Sequence, residues 1–273
     1  MSEVEIRHLR NEDEFKACVD LQRDTWGSSF SDVVPVSMLQ VAVKMGGVCL
    51  GAFGPREKLL GFVFGITGLR KGELAHWSHM LAVRPEVRDQ GMGKRLKLAQ
   101  GDALRALGVK NVYWTFDPLV ARNAHLNLNR LGVTIDEYVP DMYGRSDSDL
   151  HQLGTDRFIV RWCLEREGAE AGPGPPRRGG AVVVAPQGVG AARGPGSPAD
   201  APGGAGYTEA AIVEVLIPGD IEAVAARSAE EALAWRRTTR RAFIRLLGAG
   251  ASVAGFFPDR EYGRYVLVRK PGS

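Results

Sequence analysis

Two glycines, Gly91 and Gly93, stand between Arg88 and a basic turn holding Lys94, Arg95 and Lys97, and this is the spacing most suited to gripping a charged ligand. The surrounding stretch runs from a short apolar strand through a proline turn into an amphipathic helix. Such a start leaves backbone N–H groups unpaired and attracts anions. Glycine lacks a Cβ, so the main chain can approach a ligand closely. Cations are unfavourable at a helix N-terminus, so three of them there fit best beside a polyanion such as a phosphate ester. Just upstream lie Glu73, His76 and His79, residue types that move protons.

Common phosphate-binding loops can be told apart by spacing. A P-loop needs an earlier glycine and a Ser or Thr after the lysine, but those positions hold Arg88 and Arg95. A dinucleotide fingerprint needs a third glycine where Leu96 stands. What remains is R-x-x-G-x-G, on Arg88, Gly91 and Gly93, following the L-x-V-x-P of Leu81, Val83 and Pro85.

This pattern resembles the pyrophosphate-arm motif of the GNAT superfamily of acyl-CoA-dependent N-acyltransferases. The resemblance spans roughly residues 3 to 165 and implies acetyl-CoA or another acyl-CoA as co-substrate, with no metal. It implies that the N–H groups of Gln90, Gly91, Met92, Gly93 and Lys94 cradle the pyrophosphate. The strand edge at Leu81, Ala82 and Val83 would pair with pantetheine, and Asn123 would contact the distal arm. The activity implied is transfer of an acetyl or short acyl group to the amine of a small molecule or protein.

Direct transfer needs a neutral amine, stabilisation of the oxyanion and a proton for the leaving thiolate. His79, beside the expected thioester-binding edge and of a type that accepts protons near neutrality, is the first choice of base; a structural strand histidine is the alternative. Family members often carry N-x-x-A-x-x-x-Y-x-x-x-G, whose tyrosine protonates the CoA sulfur. Aligned on Gly132, Ala124 falls in place, but Leu128 occupies the tyrosine position and Ala121 that of asparagine. Asn127 and Asn129 are polar without being acids, and Tyr138, Tyr143 or water could substitute. The missing acid keeps open an inactive acyl-CoA sensor or regulatory module.

The elements that would hold these residues follow from periodicity. The expected class is α/β (α+β): a mixed, mostly antiparallel central sheet flanked by helices, plus a small C-terminal βαββ unit. Val4 to Leu9 reads as a strand, and Asn11 with Glu14 as the capped start of a helix from 12 to 26. A helix follows Pro35, then strands at 48–53, 59–66 and 74–83. The glycine loop and its helix come next, ended by Gly108, then a strand at 109–116 and a helix at 121–131. Later strands fall at 133–139 and 157–163. This order, read separately from the loop, is the one the GNAT resemblance implies.

Residues 167–206 are rich in Gly, Pro, Ala and Arg and read as a disordered linker, with Val182 to Val184 too short a run to count as a strand. The tail, 207–273, reads as a strand, one long helix from Pro218 to Leu247, and two strands. Its R-R-T-T-R-R run at 236–241 reads as a solvated helix face. The polar loop 141–156 could line an acceptor pocket but reads rather as surface, and Asp117 with Arg122 stands where open sheets place ligands. The expected organisation is an acyl-CoA-binding domain at 1–166, the linker, and a tail subdomain. A net charge of +3 and pI near 8.8 give no argument for nucleic acid. No apolar run suggests a membrane span. Three cysteines without metal spacing suit a reducing cytoplasm. A homodimer is compatible with these features.

Overall fold

The computed structural model describes residues 4–27, 30–88, 90–144, 153–165, 182–186 and 212–269. In chain order the first elements are β1 (Glu5–His8), α1 (Glu12–Trp26), α2 (Val36–Lys44), β2 (Val48–Phe53), β3 (Leu59–Arg70), β4 (Glu73–Val83), α3 (Met92–Ala106) and β5 (Asn111–Phe116). The expected cap of α1 is present: Asn11 Oδ1 accepts the Glu14 N–H at 3.0 Å, while the Glu14 carboxylate takes the Arg10 N–H at 2.6 Å. β3 is longer than its apolar run. It continues past Ile66 to Arg70 and pairs with β4 through a turn at Lys71 and Gly72, both at positive φ (54° and 83°), the backbone that a tight hairpin requires.

After β5 come α4 (Ala121–Ala124), β6 (Thr134–Val139), β7 (Arg157–Cys163), β8 (Val182–Val184), β9 (Ile212–Pro218), α5 (Ile221–Arg227), α6 (Ala229–Gly248), β10 (Ala251–Phe257) and β11 (Tyr262–Arg269). One sheet has seven strands in the order β1-β2-β3-β4-β5-β7-β6; a second has four, β10-β11-β9-β8. The ladders joining β1 to β4 are antiparallel, and β4 meets β5 in parallel. The class expected from sequence is therefore present.

Contacts gather the chain into two compact units. The first holds the described residues of Met1–Trp114 and Arg161–Glu167; the second holds those of Thr115–Val160 and Gly168–Ser273. In the first unit, Phe15, Cys18 and Leu21 of α1 and Leu39 of α2 pack with Phe62, Met80 and Ala82 from one face of the sheet. α3 carries its own buried stripe, including Leu96 and Leu104. A Cβ at Gly101 would stand 2.7 Å from the Trp162 ring, so only glycine lets the helix lie this close.

The second unit departs from expectation in four places. Val182 to Val184 do form a strand, paired in parallel with Val213 to Val215; three consecutive valines suffice when a formed edge supplies the other half of the ladder. The remainder of the linker, 167–181 and 187–206, lies outside the described residues. The long tail helix is two helices. Ser228, extended at φ −154°, breaks it and caps α6 by accepting the Glu231 N–H at 3.2 Å. The helix expected at 121–131 is one α-turn followed by a π-helical stretch from His125 to Arg130, with the Leu131 N–H reaching Leu126 O at 3.0 Å. There the Asn129 amide donates to Phe256 O at 2.9 Å.

The fourth departure is the arginine run. Arg236 is buried and donates to Asp117 at 2.5 Å and to Leu153 O at 2.8 Å. Arg240, one turn on, pairs with Asp141 at 2.6 Å and with the fully buried Asp156. Arg237 and Arg241 are exposed. Helical spacing divides the run between an inward ion network and a wet face, not all to solvent. Around it Tyr138, Phe158, Phe243 and Tyr265 stack, the Phe158 and Phe243 centroids 4.8 Å apart.

Candidate functional site

β4 is the strand on which the candidate residues of the first unit meet. Its ladder with β5 covers only Ala75 to Trp77 against Asn111 to Tyr113, yet β4 runs on to Val83. Among the described residues, no β5 residue is paired with β4 beyond Trp77. Among the described residues, the β4 edge from Leu81 to Val83 offers main-chain groups that β5 does not take, except the Val83 carbonyl, which Arg88 holds.

The other edge of β4 carries an irregularity at the same level. Phe64 faces Met80 and Gly65 faces Ser78, so His79 is an extra residue, a β-bulge. Ser78 turns to Gln100 of α3, at 2.9 Å, while Met80 joins the core with α1 and α2. His79 lies between them, exposed, with Phe64 edge-on at 6.3 Å. Burial lowers its pKa and the Asp32 carboxylate raises it, leaving it below the usual histidine value. Because the ring is exposed, water damps that shift. Opposite the bulge, a Cβ on Gly65 would sit 2.2 Å from His76 Nε2, so glycine is what admits the His76 ring.

The glycine loop leaves the end of β4. A 3-10 turn at Pro85–Val87 follows, and the loop is tied back on itself: Arg88 Nε donates to Val83 O at 3.0 Å and Gln90 Nε2 to Glu86 O at 3.1 Å. Both side chains end on main-chain carbonyls of the loop or of the strand before it. Gly91 is the N-cap of α3 in the left-handed conformation, φ 75°, and makes no side-chain cap. Nothing lies within 4 Å of where its Cβ would be; at Gly93 the nearest atom is Leu81 Cδ2, at 3.5 Å. Among the described residues, no side chain accepts from the N–H groups of Met92, Gly93 or Lys94. Asp89 lies outside the described residues.

The expected cluster of three cations is not what forms. Lys94 is half-buried, and Arg95 donates to Val4 O at 3.0 Å. Lys97 is only 4% exposed and turns inward. Its Nζ donates to Ser78 Oγ at 2.7 Å and lies 3.7 Å above the Trp114 ring. From there a chain of hydrogen bonds runs through the core. Ser78 donates to Gln100 Oε1, Gln100 Nε2 meets His76 Nε2 at 3.2 Å, and His76 Nδ1 meets Thr67 Oγ1 at 2.9 Å. Because the Thr67 hydroxyl proton goes to Gly46 O at 2.6 Å, the network assigns His76 the Nδ1–H tautomer. Burial and the Lys97 charge push its pKa down to about 3, so it is neutral and structural. Burial likewise pulls Lys97 down to about 7. Glu73 is exposed at the strand start.

The Lys97, Ser78 and Gln100 group was missed in the sequence. The signal was there: Lys97 and Gln100 fall on the same helical stripe as Leu96 and Leu104, so a polar side chain there had to be buried.

In the second unit, Asn123 is half-buried on α4 and Leu128 is buried in the π-helical stretch. Asn129 is held to His125 and Phe256. Tyr138 donates to Asp156 at 2.5 Å, and burial raises its pKa further. Tyr143 shares a bond with Thr115 at 3.1 Å. Arg122 pairs with Glu222 at 2.8 Å. In the loop expected at the surface, Asp156 is fully buried in the arginine network, and residues 145–152 lie outside the described set. Among the described residues, no group of three or more His, Cys, Asp or Glu could hold a metal ion, and no helix is long and apolar enough to cross a membrane.

The order of strands and helices through β7 follows the one expected from the sequence. No protein-family model matches the chain and no curated protein matches it in sequence. Solved structures similar over part of it include yncA, a putative acetyltransferase from Salmonella typhimurium with its cofactor acetyl-CoA (14% identity, 60% of this chain and 95% of that one, TM-score 0.49). Another is the ribosomal-protein-S18-alanine N-acetyltransferase from Escherichia coli (16%, 61% and 97%, 0.47). A third is Chaetomium thermophilum Naa20 in complex with a bisubstrate analogue (19%, 60% and 88%, 0.48). The likeness is one of chain path.

Proposed function

We propose that this protein is an acyl-CoA-dependent N-acyltransferase, moving an acetyl or short acyl group to the amine of a small molecule or protein by direct attack. One juxtaposition carries the reading: an uncapped helix start, opened by Gly91, stands at the end of a strand that, among the described residues, β5 does not pair beyond Trp77. The first would take the pyrophosphate through the N–H groups at Met92, Gly93 and Lys94. The second would pair with the amides of pantetheine through Leu81 to Val83, leading the thioester toward His79. His79, neutral at pH 7 and exposed at the bulge, would accept the proton of the attacking amine. Arg88 and Gln90 would act by fixing the loop.

We assign this function to residues 1–166 and a cytoplasmic setting to the chain. Incubating the purified protein with acetyl-CoA and a panel of amines, and following free thiol, tests the proposal. Amine-dependent thiol release is expected. Tight CoA binding without release from any amine would instead favour the sensor that the missing tyrosine at Leu128 allows.

A further inference from the structure

Lys97 is a buried amine to which the reading above gives no task. Ser78 and Trp114 are the first residues of β4 and β5 beyond their last bonded pair, Trp77 and Tyr113. The Lys97 amine touches both, at 2.7 Å from the hydroxyl and 3.7 Å from the ring centre. It therefore closes the fork between the strands from the α3 side. A buried ammonium ordinarily requires a counter-charge, and leaving one unpaired is costly. Burial alone shifts this one, and no carboxylate among the described residues forms an ion pair with it. The groups around it are Ser78 and the neutral His76 from β4, Gln100 from its own helix, and Trp114 from β5. An anion arriving at the fork would complete this site.

We propose that the Lys97 ammonium protonates the departing CoA thiolate, the task that falls to a tyrosine where this chain has Leu128. The proposal rests on the acyl-CoA reading. A pantetheine arm paired with β4 and entering from the Val83 end would cover about 16 Å of strand before reaching Ser78, a span matching its own extended length. There the amine attacks the thioester carbonyl and gives a proton to His79. As the C–N bond is kept and the C–S bond breaks, the electron pair leaving with sulfur takes the Lys97 proton. CoA departs as the thiol, and the proton on His79 returns through solvent to neutral Lys97. The lowered pKa of Lys97 suits an acid that must give up its proton near neutrality.

The deciding measurement needs no acceptor. CoA bound to the full-length protein is titrated with pH while the ultraviolet band of its thiolate is followed, with desulfo-CoA as the blank for the cysteines of the chain. Lys97→Met fills the same channel without charge. The bound thiol should titrate about one unit or more lower in the wild type than in K97M. CoA affinity should be retained in the variant, and amine-dependent thiol release should fall about 100-fold. A thiol that titrates alike in both proteins, with both binding CoA, overturns the role of Lys97 alone. Should K97M fail to fold, free CoA is the reference, and a wild-type complex titrating like free CoA has the same force. A wild-type protein that does not bind CoA overturns the acyl-CoA reading as well.

Discussion

Gly91 sits at φ 75° with open space where a Cβ would stand, so a side chain there meets strain from its own backbone and obstructs whatever approaches the helix start. Gly91→Val should cost about 1–2 kcal/mol of stability. It should weaken CoA binding at least about tenfold by calorimetry; an unchanged affinity would remove the cradle. His79→Gln should lower thiol release about 100-fold while CoA still binds. A base must be neutral to act, and burial lowers the His79 pKa, so the acid limb that His79 contributes to the wild-type kcat/KM should have its midpoint below the usual histidine value. H79Q should lose that acid limb; a profile identical to the wild type would show that another group is the base. The types and spacing of these residues were legible in the sequence. Their orientation was not: an alternating strand gives no notice of the bulge that leaves His79 exposed between Ser78 and Met80.

Helix α6 shows what periodicity can and cannot supply. Its existence was legible, but not its break at Ser228, nor the inward aim of Arg236 and Arg240, since both depend on carboxylates far away in sequence, buried Asp156 and half-buried Asp117 and Asp141. Arg236→Met would leave Asp117 without its partner at 2.5 Å and remove a charge beside buried Asp156. Breaking a buried pair in this way should cost about 3–5 kcal/mol in denaturant unfolding. A loss below about 1 kcal/mol would mean that water compensates these carboxylates. β8 was illegible for a related reason: three valines become a strand only because β9 presents a partner edge. The π-helical stretch was read as ordinary helix because its sequence differs little from one; the Asn129 bond to Phe256 is a tertiary contact.

For the molecule as a whole, the order of elements through β7 was readable because each carries its own hydrophobic period and its own stops at Gly or Pro. The grouping of contacts was not, since the tail and residues 115–160 are far apart in sequence yet fall in one compact unit. The glycine loop was readable as a loop; that β5 pairs with β4 only as far as Trp77 among the described residues is a property of pairing that no single segment encodes. Amide hydrogen exchange across the whole chain, with and without CoA, reads both halves of the proposed cradle together. Saturating CoA should slow exchange at residues 81–83 and 91–94 above all other segments. Protection confined to other segments, with those amides exchanging as in the free protein, would contradict the proposed binding mode.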